Sequence, residues 1–183
     1  REVQFGVAVM ATETIRPNDN GDLSQCHGSD GNNTNNYQLV DESSANDADY
    51  VIGMGNAVWT VDLYNIPSTA IPAGSTINKI TFYARFKDYG AVGNDYAKFA
   101  YKSGGTVYYS SAPNITDSFA EYSWEQTTNQ KTSAAWTIDD INALQIGVAL
   151  YWEGGKSISA GMCSQLWIII DYTEAANSFF AFF

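Results

Sequence analysis

The sequence predicts an all-β protein, an antiparallel sandwich with one short helix near residues 138–144. Three observations predict it. Ile80, Phe82, Ala84 and Phe86 alternate with Lys79, Thr81, Tyr83, Arg85 and Lys87, a period of two along a whole strand. Ser103-Gly104-Gly105 separates alternating runs at 97–101 and 106–110, the spacing of a tight hairpin. Between Ala135 and Leu150 the period itself changes. Thr137 caps a helix and Asp140, three residues on, completes a capping box with its carboxylate at the positive helix end. From Leu144 the spacing becomes two, and Leu144, Ile146, Val148 and Leu150 share one face.

The remaining elements follow in chain order. Val3, Phe5, Val7 and Val9 alternate with Glu2, Gln4, Gly6 and Ala8, which predicts a strand at the very start. It either closes its own sheet as an edge or is donated to the edge of a neighbour. Residues 18–36 are rich in Asn, Asp, Gly and Ser and predict one long surface loop. In the strand at 57–64, Trp59, Val61 and Leu63 alternate with Thr60, Asp62 and Tyr64, and the charges of Asp62 and Asp171 are read as solvated and outward. Ile66-Pro67 ends that strand and Pro72-Ala73-Gly74 turns the chain. Residues 88–95 turn it again, Ala120, Tyr122 and Trp124 mark another strand, and 164–172 is the last.

In that last strand Leu166, Ile168 and Ile170 face one side, but Trp167 and Ile169 face the other. Both faces therefore call for cover. The candidate is the tail at 173–183, which carries Phe179, Phe180, Phe182 and Phe183. Burying four Phe is worth roughly 6–12 kcal/mol, while ordering about ten residues costs roughly 1–2 kcal/mol each. The terms nearly cancel, so the tail is expected to be ordered only against a well-fitting surface, and intermolecular use is favoured. The chain divides into an N-terminal strand extension (1–12), a sandwich domain (13–172) and the Phe-rich tail (173–183).

A chain of 183 residues supports one domain with a sizeable core. Twenty acidic residues against nine basic ones give a formal charge of −11, which argues against nucleic acid as a partner. A phosphate-backbone binder needs a basic stripe; here Lys79, Arg85 and Lys87 read as a solvated strand face. No run approaches the roughly eighteen apolar residues of a membrane span. The first ten residues also lack the pattern of a signal peptide. Cys26 and Cys163 are a candidate disulfide, worth roughly 4–5 kcal/mol in the chain-entropy picture, with two free buried thiols as the alternative.

Chemistry is sparse. His27 is the only histidine, and as a strand neighbour of Cys26 it points to the opposite face. Glu121 and Glu125 share a strand side but stand roughly 13 Å apart, too far for a glycosidase pair. No catalytic residue is assigned, and no enzyme activity is expected. Asp19, Asp22, Asp41 and Asp47 are candidate Ca²⁺ ligands in oxygen-rich segments, with ordinary Asx turns as the alternative, and no other cofactor is expected. The first of these segments is no EF-hand, because Leu23 stands where that loop needs glycine. Tyr83, Tyr89, Tyr96, Tyr108 and Tyr151 are candidate exposed rings, read in order as interface, sheet packing and glycan contact. Asn32 and Asn114 head glycosylation sequons.

Leu39-Val40-Asp41-Glu42, Asp49-Tyr50-Val51, the run from Ile80 to Arg85, Ala135-Trp136-Thr137 through Ile146-Gly147-Val148, and the run from Leu166 to Tyr172 together carry a resemblance. The chain from Glu13 to Tyr172 resembles a jelly-roll β-sandwich domain of tailed-phage virion structural proteins and of secreted prokaryotic surface proteins. The resemblance implies a jelly-roll order of strands. It also implies a decoration, fibre or filament subunit that binds copies of itself, or a capsid or surface-layer shell. The function expected on that basis is a non-enzymatic extracellular or virion structural protein. Its assembly contacts would be Val3, Phe5, Val7, Val9, Trp167, Ile169, Phe179, Phe180, Phe182 and Phe183. The alternative is a carbohydrate-binding, lectin-like surface module.

Overall fold

A computed structural model describes residues 8–90, 96–153 and 159–175. Among the described residues, thirteen strands run in chain order. They are β1 (Met10–Ile15), β2 (Asp19–Ser24), β3 (His27–Gly28), β4 (Val51–Ile52), β5 (Val58–Asn65), β6 (Thr76–Tyr89), β7 (Ala97–Ser103), β8 (Thr106–Tyr109), β9 (Ala120–Gln126), β10 (Thr128–Asn129), β11 (Ala134–Ala135), β12 (Gln145–Trp152) and β13 (Ala160–Thr173). A short 3-10 turn, Asn36–Leu39, precedes β4, and helix α1, Ile138–Asn142, precedes β12.

The main sheet is antiparallel throughout and curls into two layers. In the first, β13 lies between β6 and β1, with β9 outside β6 and the short β4 and β3 beside the start of β13. In the second the order is β2-β5-β12-β7-β8. One pair, Trp152 with Ala160, joins the layers where β12 passes to β13. The order β1-β13-β6-β9 over β5-β12-β7-β8 is that of a jelly-roll-like sandwich, as the resemblance implied.

The alternation of β6 produces the core directly. Ile80, Phe82, Ala84 and Phe86 are buried against Leu166, Ile168 and Ile170 of β13 and Ile146, Val148 and Leu150 of β12. Aromatic rings fill the centre, with Phe82 5.3 Å from both Tyr101 and Trp124, and Phe86 edge-on to Phe99 at 5.1 Å. Helix α1 forms as its sequence dictates: Thr137 Oγ1 accepts from Asp140 N at 3.0 Å and Asp140 Oδ2 accepts from Thr137 N at 3.0 Å. Gly104 and Gly105 both take positive φ, 54° and 83°, which lets β7 and β8 close in a two-residue turn matched to the strand twist.

Three expectations are corrected. The loop predicted at 18–36 contains β2 and β3. Strand β2 is an edge strand with no buried residue and one apolar side chain, Leu23, so its formation leaves no hydrophobic alternation to read. The large ring on the outer face of β13 is covered from within the domain: Trp167, 9% exposed, stacks on Tyr83 at 5.2 Å, and the Arg16 guanidinium lies 6.0 Å from its ring centre, while Ile169 is half-buried and residues 176–183 lie outside the described residues. The third correction concerns β5, whose facing is inverted. Thr60, Asp62 and Tyr64 point toward the core, while Trp59, Val61 and Leu63 form the outer face. Strand β1 also crosses the boundary drawn at residue 12, because Met10 to Ile15 pair with Thr173 to Ile168 in unbroken register.

Candidate functional site

The inversion of β5 creates an apolar strip on the outside of the second layer. Val61 and Leu63 of β5, Ala149 of β12 and Ala100 of β7 pack together there, flanked by Leu23 and Val107. One end of the strip is closed by polar contacts: Lys102 pairs with Asp22, and Gln145 Nε2 donates to Asp22 Oδ1 at 3.1 Å. At the other end the strip opens into a groove of about 290 Å³, floored by Val61 and Ala149 and walled by Trp59, Lys98 and Tyr109.

The walls are held by contacts between adjacent strands. Trp59 pairs across the sheet with Tyr151, their rings 5.4 Å apart, and Tyr151 stacks on Tyr96 at 5.3 Å. Lys98 Nζ sits 4.2 Å from the Trp59 ring centre, a cation–π contact that holds the amine beside the groove. Trp59 remains 37% exposed and Tyr109 45% exposed. Trp59 and Tyr109 thus leave large aromatic surface half-open beside an apolar floor.

The five tyrosines singled out from sequence separate into different settings. Tyr96 and Tyr151 join Trp59 at the groove. Tyr83 is stacked under Trp167 on the opposite layer, and Tyr108 stacks on Tyr101 and packs on the core, so neither is presented as a glycan platform. Tyr89 is exposed at the end of β6. Sequence reasoning missed Trp59, Lys98 and Tyr109. The available signal was Lys98 itself, which must face out if Phe99 and Tyr101 face in.

The candidate Ca²⁺ ligands do not converge. Asp22 is paired with Lys102, whereas Asp47 forms a two-point contact with Arg85 on the first layer, with nitrogen–oxygen distances of 3.1 and 2.7 Å. Asp19 Oδ1 accepts from Asn20 N, and Asp41 is held above the ordinary carboxylate range by burial. Among the described residues no group of three metal-ligating side chains could hold an ion. Asn32 and Asn114 are both exposed, and Asn32 Oδ1 accepts from Thr34 N and Oγ1 in a tight local turn. Of the assembly residues, Val9 is exposed and Ile169 half-buried, while Val3, Phe5, Val7, Phe179, Phe180, Phe182 and Phe183 lie outside the described residues.

Inside the sandwich, Asp62 is fully buried and surrounded by donors. Its Oδ1 accepts from Gln25 N at 2.6 Å and Cys26 N at 2.8 Å, and its Oδ2 accepts from Asn36 Nδ2 at 2.6 Å and Tyr64 Oη at 3.0 Å. The reading of Asp62 as a solvated charge is therefore wrong. Cys26 and Cys163 are free thiols, not a disulfide. They belong to opposite layers: Cys26 is tied to Thr60 and Asp62 of β5, whereas Cys163 Sγ donates to Gln165 O within β13. Burial, then the Asp62 charge, pushes the Cys26 thiol well above its ordinary range, so it stays protonated and is no nucleophile.

Burial pushes Cys163 up to about 12 and raises Tyr64 strongly. This fixes a pH dependence. Above about pH 8.5 the unfolded chain releases thiol protons that the folded chain keeps, so the unfolded state binds fewer protons. Stability is expected to fall from about pH 9 toward 12, by roughly 1.4 kcal/mol per pH unit for each such group. Urea midpoints across that range measure it. A flat profile, or one unchanged by Cys163→Ala, would contradict the assignment.

No family model matches this chain and no curated protein matches it, so its class rests on geometry: an all-β jelly-roll-like sandwich with an aromatic groove on one outer face.

Proposed function

We propose that this chain is a non-enzymatic structural subunit, extracellular or on a virion surface, that self-assembles or decorates a larger particle through its terminal segments. One observation carries the reading. Strands β1 and β13 stay paired to their ends, and Glu174 N donates to Val9 O at 2.8 Å beyond the last ladder pair. Val9 and Glu174 therefore stand side by side at one pole of the sandwich, next to Met10, which is 78% exposed. The two additions that fall outside the resemblance are thus tethered at the same pole, as a single attachment site requires. A charge of −11 makes copies repel, so assembly should strengthen as salt screens it.

The test is mass in solution over a dilution series, with negative-stain electron microscopy of the same material. Filaments, rings or higher-mass species are expected, and deletion of residues 174–183 should leave a folded monomer. A full chain that stays monomeric at every concentration would end this reading. A second reading, a carbohydrate-binding surface module, is favoured by the half-open Trp59 and Tyr109 beside Lys98. It predicts glycan-array binding that Trp59→Ala weakens tenfold or more and that tail deletion leaves unchanged.

A further inference from the structure

The groove and the Met10–Thr173 end of the β1–β13 ladder lie at opposite ends of the sandwich. Trp59 pairs with Tyr151, one residue before Trp152 meets Ala160 at the start of β13; at the other end Thr173 meets Met10, and the tail is tethered there through Ala175. We infer that the groove walled by Trp59, Lys98 and Tyr109 receives the Phe-rich tail, residues 176–183, of another copy. Copies are thereby joined head to tail. The inference rests on the self-assembly reading and names the surface that reading left open.

Reach is the first argument. Strand β13 has fourteen residues and so runs about 43 Å from Ala160 to Thr173. The eight residues after Ala175 extend no more than about 29 Å. The groove also faces outward from the other layer, so a tail starting at the far pole must pass round the sandwich to reach it. Its own groove is beyond its reach, while that of the next copy along the axis is not.

The alternatives near the tail's own exit supply the second argument. Trp167, the large ring on the outer face of β13, is already covered by Tyr83 and Arg16 and does not need the tail, and its neighbour on that face, Ile169, is half-buried. The fit of composition is the third. The tail presents Phe179, Phe180, Phe182 and Phe183 and no charge within 176–183, which suits an apolar floor with aromatic walls. Lys98, already over Trp59, stands where its ammonium can also meet the face of an incoming Phe. The volume, about 290 Å³, is at the low end for small-molecule sites and suits one or two side chains. Because donor and acceptor surfaces differ, the contact is heterologous, and it produces an open filament, or a ring where the rotation closes.

The experiment uses the full chain with p-benzoylphenylalanine at position 182, made as an equal mixture of heavy-isotope and light copies and irradiated after assembly. The expected product is a heavy–light cross-link between the tail and residues 58–61 or 97–100. Trp59→Ala and Tyr109→Ala, both at half-exposed positions and checked for unchanged thermal melting, should each raise the concentration for half-assembly tenfold or more. Cross-links within one copy, or to another surface, would overturn the inference. So would assembly that is lost on tail deletion yet indifferent to both groove variants, a result that leaves the self-assembly reading intact. Glycan binding abolished by Trp59→Ala with assembly unchanged would assign the groove to saccharide instead. A full chain that never assembles removes the self-assembly reading and this inference with it.

Discussion

Replacing Asp62 with alanine should cost about 3–5 kcal/mol of folding stability, the range for removing one member of a buried charged network. The carboxylate is fully buried and gathers four donors from three separate parts of the chain. Gln25 N has a second acceptor, Val61 O at 3.2 Å, and suffers least. Asn36 Nδ2 keeps its bond to Cys26 O at 3.0 Å, whereas Cys26 N and Tyr64 Oη lose the partner that offsets their burial, at about 1–3 kcal/mol for each orphaned group. Asp62→Asn is expected to recover only part of the loss, because an amide turns one donor toward donors. Tyr64→Phe removes a single bond and should cost about 1 kcal/mol. Urea denaturation of the three variants gives the order. A loss below 1 kcal/mol for Asp62→Ala would show that water replaces the carboxylate and that the network does not organise this end of the sandwich.

Asp62 also shows where the sequence stops being legible. Strand β6 could be read because only one of its two registers is apolar, so Ile80, Phe82, Ala84 and Phe86 had a single place to go. In β5 both registers carry large apolar groups, so the alternation alone does not choose a face, and a charge such as Asp62 reads as solvated and outward. A buried charge reverses that inference when its donors come from elsewhere in the chain. Gln25, Cys26 and Asn36 lie 26 to 37 residues away, in a segment whose composition looks like loop. The aromatic groove is hidden for the same reason, since Trp59 is on the register opposite Asp62. Helix α1 and the Gly104-Gly105 hairpin were legible because local chemistry alone determines them. Edge strand β2 was not, because an edge with solvated side chains needs no hydrophobic period.

Gly147→Ala is expected to be the other severe substitution, destabilising by about 3 kcal/mol, toward the upper end for overpacking. Two effects compete at this position. Alanine in a strand normally gains about 0.5–1 kcal/mol over glycine by reducing the freedom of the unfolded chain. Here a Cβ would fall far inside contact distance of the Asp62 carbonyl oxygen and within 3.0 Å of the Leu63 Cα, both backbone atoms of the neighbouring strand. Backbone in mid-sheet cannot step aside as a flexible side chain can, so the clash decides the sign. On the other flank of β5, a Cβ on Gly21 would come within 2.6 Å of Leu63 O. The two glycines let both neighbouring strands close on the segment of β5 that sends Asp62 inward. The same shift that relieves an alanine at 147 should therefore loosen the donors around Asp62, and Gly147→Ala combined with Asp62→Ala should cost less than the two losses added. Chemical denaturation of the single and double variants measures this coupling. A stabilised Gly147→Ala protein would show that β5 has room to move, and strict additivity would separate the glycine contact from the buried carboxylate.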